Sequence, residues 1–324
     1  MFKKRMPVFL LTLLILVLIA LSVSAKYPDR AITCVIAYPP GGGSDVLVQA
    51  VNPYLEKYLG VPIVNEYKGG ASGAVGWTYF ANNAKPDGYT ICIVNFPSMV
   101  GNIIMYPEEV KYSLDSYIPL YNIVDDPGMI FTAADSKFDT AKELFEYAKK
   151  NPKQVTVAHS GVGSDDWVRL KMLEIEAGIE FIEVPFPGSG PAWQATMGGH
   201  VDVCTDNLSI VYQQILDGTL KPLSMMTPER SKWLPDVPTL KEDLGIDATL
   251  GSSRGYSLKA GTPEEIVKVL EEAFDKVLAD PEFLEHMNNV GLPLLPLKGE
   301  EFKKYIDDQV KKFSEVYEAS EQGQ

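Results

Sequence analysis

Tyr38-Pro39-Pro40-Gly41-Gly42-Gly43-Ser44-Asp45 follows the β-rich run Ala31–Ala37 and opens a helical stretch that continues to about Leu59. A strand running into a helix through a turn with no side chains at its centre is the signature of an α/β unit. Gly60 and Pro62 stop the helix, and Ile63–Tyr67 reads as the next strand. The pattern then repeats. The turn signal Pro86-Asp87-Gly88 precedes a strand at Tyr89–Asn95, and apolar runs follow at Ile118–Val124 and Met129–Ala133. Further on, strands at Val155–Ala158, Glu180–Val184 and Val201–Thr205 alternate with helices starting near Asp165, Gly190 and Asn207, and Leu220–Met226 is a last strand. Two boxes of capping form, Thr140–Glu143 and Thr262–Glu265, mark helix starts. Apolar stripes at Ile266, Leu270, Ala273 and Val277, and at Phe302, Tyr305, Ile306, Val310, Phe313 and Tyr317, give the C-terminal helices. Alternation of this kind predicts mostly parallel sheets covered by helices, in two α/β lobes. Ligands of such folds sit in the cleft beyond the carboxyl ends of the strands.

The loops that follow strands are therefore the candidates for chemistry. In the first, Gly41, Gly42 and Gly43 let backbone approach a ligand, and the helix start directs unpaired amides outward, which suits a carboxylate or phosphate. The alternative is a tight connection in which Ser44 or Asp45 only caps the helix. The second, Ser160-Gly161-Val162-Gly163-Ser164-Asp165, also lies between strand and helix and would face the first across a cleft. Lys68–Gly76 is a third glycine-rich turn, read as packing. None of the loops has the phosphate-loop or dinucleotide pattern.

Composition sets the class. Lys3, Lys4 and Arg5 precede an apolar Val8–Leu21, and Val23 and Ala25 supply small residues ahead of Lys26, so residues 1–25 read as a cleaved signal peptide. A retained anchor is the alternative, because Pro7–Ala25 is nearly long enough to span a bilayer. The remaining residues bury a core large enough for two domains. The formal charge is −14, and it becomes −17 once the three basic residues of the leader are set aside. Such a chain repels nucleic acid, so any anion must be held by local dipoles. Cys34, Cys92 and Cys204 lie in β-like runs and read as small buried hydrophobes, not as a disulfide framework. Three scattered histidines and no CxxC or HExxH predict no metal and no cofactor. An exported α/β enzyme acting on a small carboxylate is the competing class. Against it, His159 and Ser160 are strand neighbours and point to opposite faces, so they cannot pair as base and nucleophile.

With these loops in hand, the chain resembles the receptors of tripartite tricarboxylate transporters, the Bug-type receptors. The resemblance is carried by Tyr27–Ile32, Pro39–Asp45, Gly69–Gly76, Pro86–Thr90, Ser160–Gly163, Pro185–Pro191, Gly198–Asp202, Pro235–Thr239 and Ala260–Pro263. It implies a type II periplasmic-binding-protein fold with two chain crossings between lobes. Lobe one would be residues 26–124 plus 250–324, and lobe two residues 125–249. It also implies a small mono-, di- or tricarboxylate ligand held by backbone amides and water, a monomer, and one large and one small membrane subunit as partners. By position, Tyr38 and Pro40 to Asp45 would bind from lobe one. Ser160 to Asp165, Pro187, Gly188, Ser189, Asp206 and Asn207 would bind from lobe two. The chain departs from relatives at Asp165-Asp166-Trp167, where small and hydroxyl residues followed by His are usual. Those carboxylates either favour the helix start or face the cleft. If they face it, they favour a monocarboxylate or a ligand with a cationic group over citrate. Arg254 would then balance the ligand, or else be a surface or hinge residue.

Overall fold

The computed structural model describes residues 27–322, so the leader expected at 1–25 lies outside them. Among the described residues no helix is long and apolar enough to cross a membrane. The chain forms two α/β lobes. In the first, β1 (Ile32–Ile36), α1 (Gly43–Leu59), β2 (Ile63–Tyr67), α2 (Ala74–Asn83), β3 (Thr90–Phe96) and α3 (Ser98–Met105) lead to β4 (Tyr117–Ala133). The second contains α4 (Ala141–Lys150), β5 (Thr156–His159), α5 (Asp165–Ala177), β6 (Ile182–Pro185), α6 (Ser189–Met197), β7 (Val203–Asn207), α7 (Leu208–Leu216), β8 (Leu220–Met226) and α8 (Leu240–Leu244). The chain then returns through β9 (Gly251–Lys259) to α9 (Glu264–Leu278), α10 (Pro281–Asn289), β10 (Leu294–Lys298) and α11 (Gly299–Gln322).

The two apolar runs expected at Ile118–Val124 and Met129–Ala133 are one strand. Asp125-Asp126-Pro127-Gly128 reads as a break because Pro gives no ladder hydrogen bond and Asp and Gly are poor strand formers. The strand survives because its partners change there. β4 pairs with β9 as far as Pro127, and β7 and β8 take over from Gly128. One crossing between lobes is thus the body of β4, and the other enters β9 through Leu250, whose carbonyl accepts from the Gly128 amide.

The sheets are mixed, not mostly parallel. β1 pairs in parallel with β2 and β3, and β5 with β6 and β7. β9, which returns from the other lobe, is antiparallel to both β3 and β4, and β10 is antiparallel to β4. β9 was hidden in the sequence by Gly251, Ser252, Ser253 and Gly255. Gly255 is there for contact: a Cβ would meet the Tyr121 carbonyl of β4.

Each sheet has an apolar cluster on both faces. The C-terminal stripe fills one of them: Phe302, Phe313 and Tyr317 are buried, each such side chain contributing roughly 1.5–3 kcal/mol. Tyr317 also stacks on Trp167 of α5, so the last helix of lobe one leans on the other lobe. Two capping expectations differ in outcome. Thr140 Oγ1 accepts from the Glu143 amide and caps α4. Thr262 does not cap α9; its hydroxyl donates to the Lys259 carbonyl, and Pro263 stands at the N-cap. A complete box forms instead at Thr239 and Glu242. The three cysteines are buried free thiols.

Candidate functional site

The carboxyl ends of β1 and β5 bring the two glycine-rich loops face to face. On the lobe-one side, Asp45 is spent on the loop itself. Its carboxylate accepts from the Gly41 amide at 2.8 Å and from the Tyr67 hydroxyl at 2.6 Å. That bracing leaves the first turn of α1, with Gly42 at the N-cap and no side-chain cap, as the surface offered to the cleft. The Asp45 amide bonds back to the Gly42 carbonyl at 2.9 Å, which leaves the amides of Gly43 and Ser44 at the positive end of the helix dipole.

Between the loops lies a cavity of about 10 Å3, lined by Tyr38, Gly42, Gly43, Ser44, Asn95, Ser160, Asp165, Ser189 and Arg254. That is room for about one water. A larger groove of about 720 Å3 opens at the seam beside it. It is lined by apolar Ala71, Val75, Tyr79 and Val110 with Gly161, Val162, Phe186 and Pro187. The small cavity carries the convergent polar groups, and we take it as the site despite its size.

The lobe-two side is charged. Asp165 and Asp166 open α5 and are buried, and Arg169, one turn on, is fully buried beneath them. The Arg169 guanidinium pairs with Asp165 at 3.1 Å and with Asp166, and reaches Asn207 Oδ1 at 3.4 Å and the Leu250 carbonyl at 3.4 Å. Arg254 of β9 continues the network, donating to Asp126 Oδ2 at 2.7 Å and Asn207 Oδ1 at 2.8 Å. Asp206 Oδ1 accepts from the Ser189 hydroxyl at 3.1 Å and the Asn207 amide at 2.8 Å. Arg254 is therefore neither surface nor solvent-facing: it is 2 % exposed, and its guanidinium lies against Gly43, where any side chain would collide with it.

Burial pushes the Asp166 carboxyl up to about 6, with Asp165 beside it adding repulsion and Arg169 opposing. Burial and Asp166 together hold Asp206 well above the usual carboxylate range. For Asp165, burial is outweighed by Arg169 and Arg254, which leave it below that range. Burial lowers His159, only partly opposed by Glu183, and its Nδ1 accepts from the Gly161 amide.

Of the residues expected from sequence, Tyr38, Gly42, Gly43, Ser44, Ser160, Asp165 and Ser189 line the cavity. Gly161, Val162 and Pro187 line the seam groove. Asp206 and Asn207 stand one layer back, joined to the cavity through Ser189 and Arg254. Gly41 and Gly188 are contact points between lobes. A Cβ on Gly41 would lie 3.7 Å from Gly190, and one on Gly188 would lie 3.0 Å from Pro39. Pro40 is exposed at the rim. Gly163 accepts from the Tyr317 hydroxyl at 3.1 Å, and Ser164 caps α5 by accepting from the Trp167 amide. The third turn does more than pack within its lobe, since the Ser72 hydroxyl donates to the Val162 carbonyl across the cleft at 2.7 Å. Asn95, Ser98, Asp126 and Arg169 were missed. Ser98 donates to Asp165 at 3.1 Å from the other lobe. Among these, only the i, i+4 spacing of Asp165 and Arg169 was a readable signal.

Residues 47–321 match the profile of the tripartite tricarboxylate transporter family receptor. The chain belongs to that family. A receptor relative, the protein BugT of Bordetella pertussis, is 28% identical, with 92% of each chain covered. The solved structure of the periplasmic binding protein BugD superposes with a TM-score of 0.85 at 29% identity, covering 91% of this receptor and 98% of that chain. MatC from Rhodopseudomonas palustris, solved with bound malate, superposes at 0.82 and 25% identity, covering 90% and 99%. The receptor thus has the two-lobed periplasmic-binding-protein fold, of type II, and is a solute-binding protein of this family.

Proposed function

We propose that this receptor captures a small carboxylate outside the cytoplasm and delivers it to one large and one small membrane subunit of a tripartite tricarboxylate transporter. Lobe one (residues 26–124 and 250–324) and lobe two (125–249) close on the ligand, the mature protein is a monomer, and residues 1–25 are its export signal. The observation that carries this is the bare first turn of α1, bracketed by Asp45 and set against the Arg254 guanidinium at the seam between lobes. A helix start with free amides beside a buried cation is a seat for an anion. The malate bound to MatC supports the same class. Binding without turnover is favoured over an enzyme, since His159 is engaged with the Gly161 backbone and no nucleophile is bonded to it in the structure described.

A thermal-shift screen of the mature protein against mono-, di- and tricarboxylates tests the reading. A ligand at 100 times its Kd stabilises the folded state by about 2.7 kcal/mol. Chemical conversion of a ligand by the protein would overturn it in favour of the enzyme.

A further inference from the structure

The junction holds more acid than a carboxylate binder needs. Asp126, Asp165, Asp166 and Asp206 are each at most 4 % exposed, and the guanidiniums facing them are Arg169 and Arg254. A ligand bringing only carboxylates would add negative charge to an acidic, desolvated site, where an uncompensated charge is strongly unfavourable. The basic side of the cavity has the opposite mismatch. Arg254 presses a cation on the positive end of α1, an arrangement relieved by an anion between them. Among the described residues, the buried polar atoms without a hydrogen-bond partner include Arg254 Nε, on a side chain that lines the cavity, Arg169 Nε in the same network, and Asp206 Oδ2, just behind Ser189. The cavity therefore has an anion seat at one end and, at the other, the Asp165 carboxylate with the unpartnered Asp206 Oδ2 one layer behind Ser189.

We propose that the ligand is a zwitterion, a carboxylate that also carries an ammonium group, as in an amino acid. Its carboxylate sits between the α1 amides and Arg254. Its ammonium is read by Asp165, which lines the cavity, and by Asp206 through or in place of the Ser189 hydroxyl. This rests on the solute-binding reading above and names its ligand class. The cavity has room for one water with Arg254 in its present place, so the guanidinium shifts or the lobes part on entry.

The experiment is titration calorimetry on the mature chain with matched pairs: L-alanine and propionate, L-aspartate and succinate, L-glutamate and glutarate, 4-aminobutyrate and butyrate. The amino member of a binding pair is expected to bind at least about tenfold more tightly, as one charge-assisted hydrogen bond provides. Asp206→Asn, which keeps the shape of the side chain, narrows that ratio. So does Asp165→Asn, in which Asp166 still holds Arg169. Equal or tighter binding of the deaminated acids overturns the zwitterion and leaves the carboxylate reading standing. A ratio unchanged in both variants overturns the roles of Asp165 and Asp206. Silence from every pair at millimolar concentration, with binding by compounds that lack a carboxylate, overturns both readings.

Discussion

Two helix starts face each other across the cleft, and they are built on opposite principles. α1 opens with Gly42, Gly43 and Ser44, has no side-chain cap, and carries the one acidic residue of its first turn, Asp45, turned back onto the loop. α5 opens with a Ser164 cap and two buried carboxylates, held by a fully buried arginine one turn later. The first offers backbone dipoles that the helix holds in place and that an anion would satisfy. The second keeps its charges in fixed pairs, so its field is present before any ligand is. An anion seat of backbone is indifferent to what the rest of the ligand looks like. A network of side chains is not, so on the function proposed above the discrimination between ligands falls to lobe two.

The largest expected effect breaks the charged half alone. Arg169→Leu strips Asp165 and Asp166 of their common partner and should cost about 3–5 kcal/mol, read as a lower urea midpoint. If stability hardly changes, the network is not what fixes α5.

The next effect is a pH dependence. Asp166 is raised to about 6, above the value of an unfolded aspartate. Its protonated form thus contributes stability that is fully present below about pH 4 and is lost as pH rises through about 6, a swing of up to about 3 kcal/mol. Burial sets this first, Asp165 adds repulsion, and Arg169 and Ser160 oppose them; Asp206 on β7 is the other carboxyl coupled to it. Asp166→Asn should therefore gain on the parent protein between pH 4 and 7 in thermal melts. A stability difference that is flat across that range would remove Asp166 from the pH response. Nothing comparable is expected at α1, where no buried carboxylate stands at the cleft.

The bare half is broken by Gly42→Val. Its backbone is extended, with φ −106°, and tolerates a branched residue, but the side chain would project toward Ser189 across the cavity. Affinity should fall at least about tenfold with stability held to within about 1 kcal/mol. Calorimetry on the folded variant decides it, and an unchanged affinity would make the loop a connector. Smallest is Ser164→Ala, which removes the cap of α5 and should cost about 1 kcal/mol while leaving ligand preference unaltered. Altered preference would mean the hydroxyl does more than cap.

The same contrast explains what the sequence could and could not disclose. The α1 loop was legible because its chemistry is local: glycines, a turn and a helix start lie within eight residues. Gly161 was legible for the same reason, with φ +115° and Ser72 pressed close to it. The charge network was not. Its members Asp126, Arg169, Asp206 and Arg254 come from β4, α5, β7 and β9, and no spacing joins them. Arg169 drew no reading at all, and Arg254 stayed open between balancing the ligand and being a surface or hinge residue, because an isolated arginine is usually exposed. β9 was lost because its glycines serve close strand packing, at the expense of strand propensity.

The body of β4 belongs to both sheets, and the Gly128 amide bonds Leu250 on the other crossing. Any turning of one lobe against the other must use these two neighbouring strands as its axle. Asp126 and Arg254 lie close to that axle, so their ion pair travels with small displacement whichever way the lobes swing. The pairs Ser72 with Val162 and Tyr317 with Gly163 involve loops and a helix away from it, so an opening of the cleft would have to break them. A molecule that is drawn in past these pairs meets a charged centre that has scarcely moved.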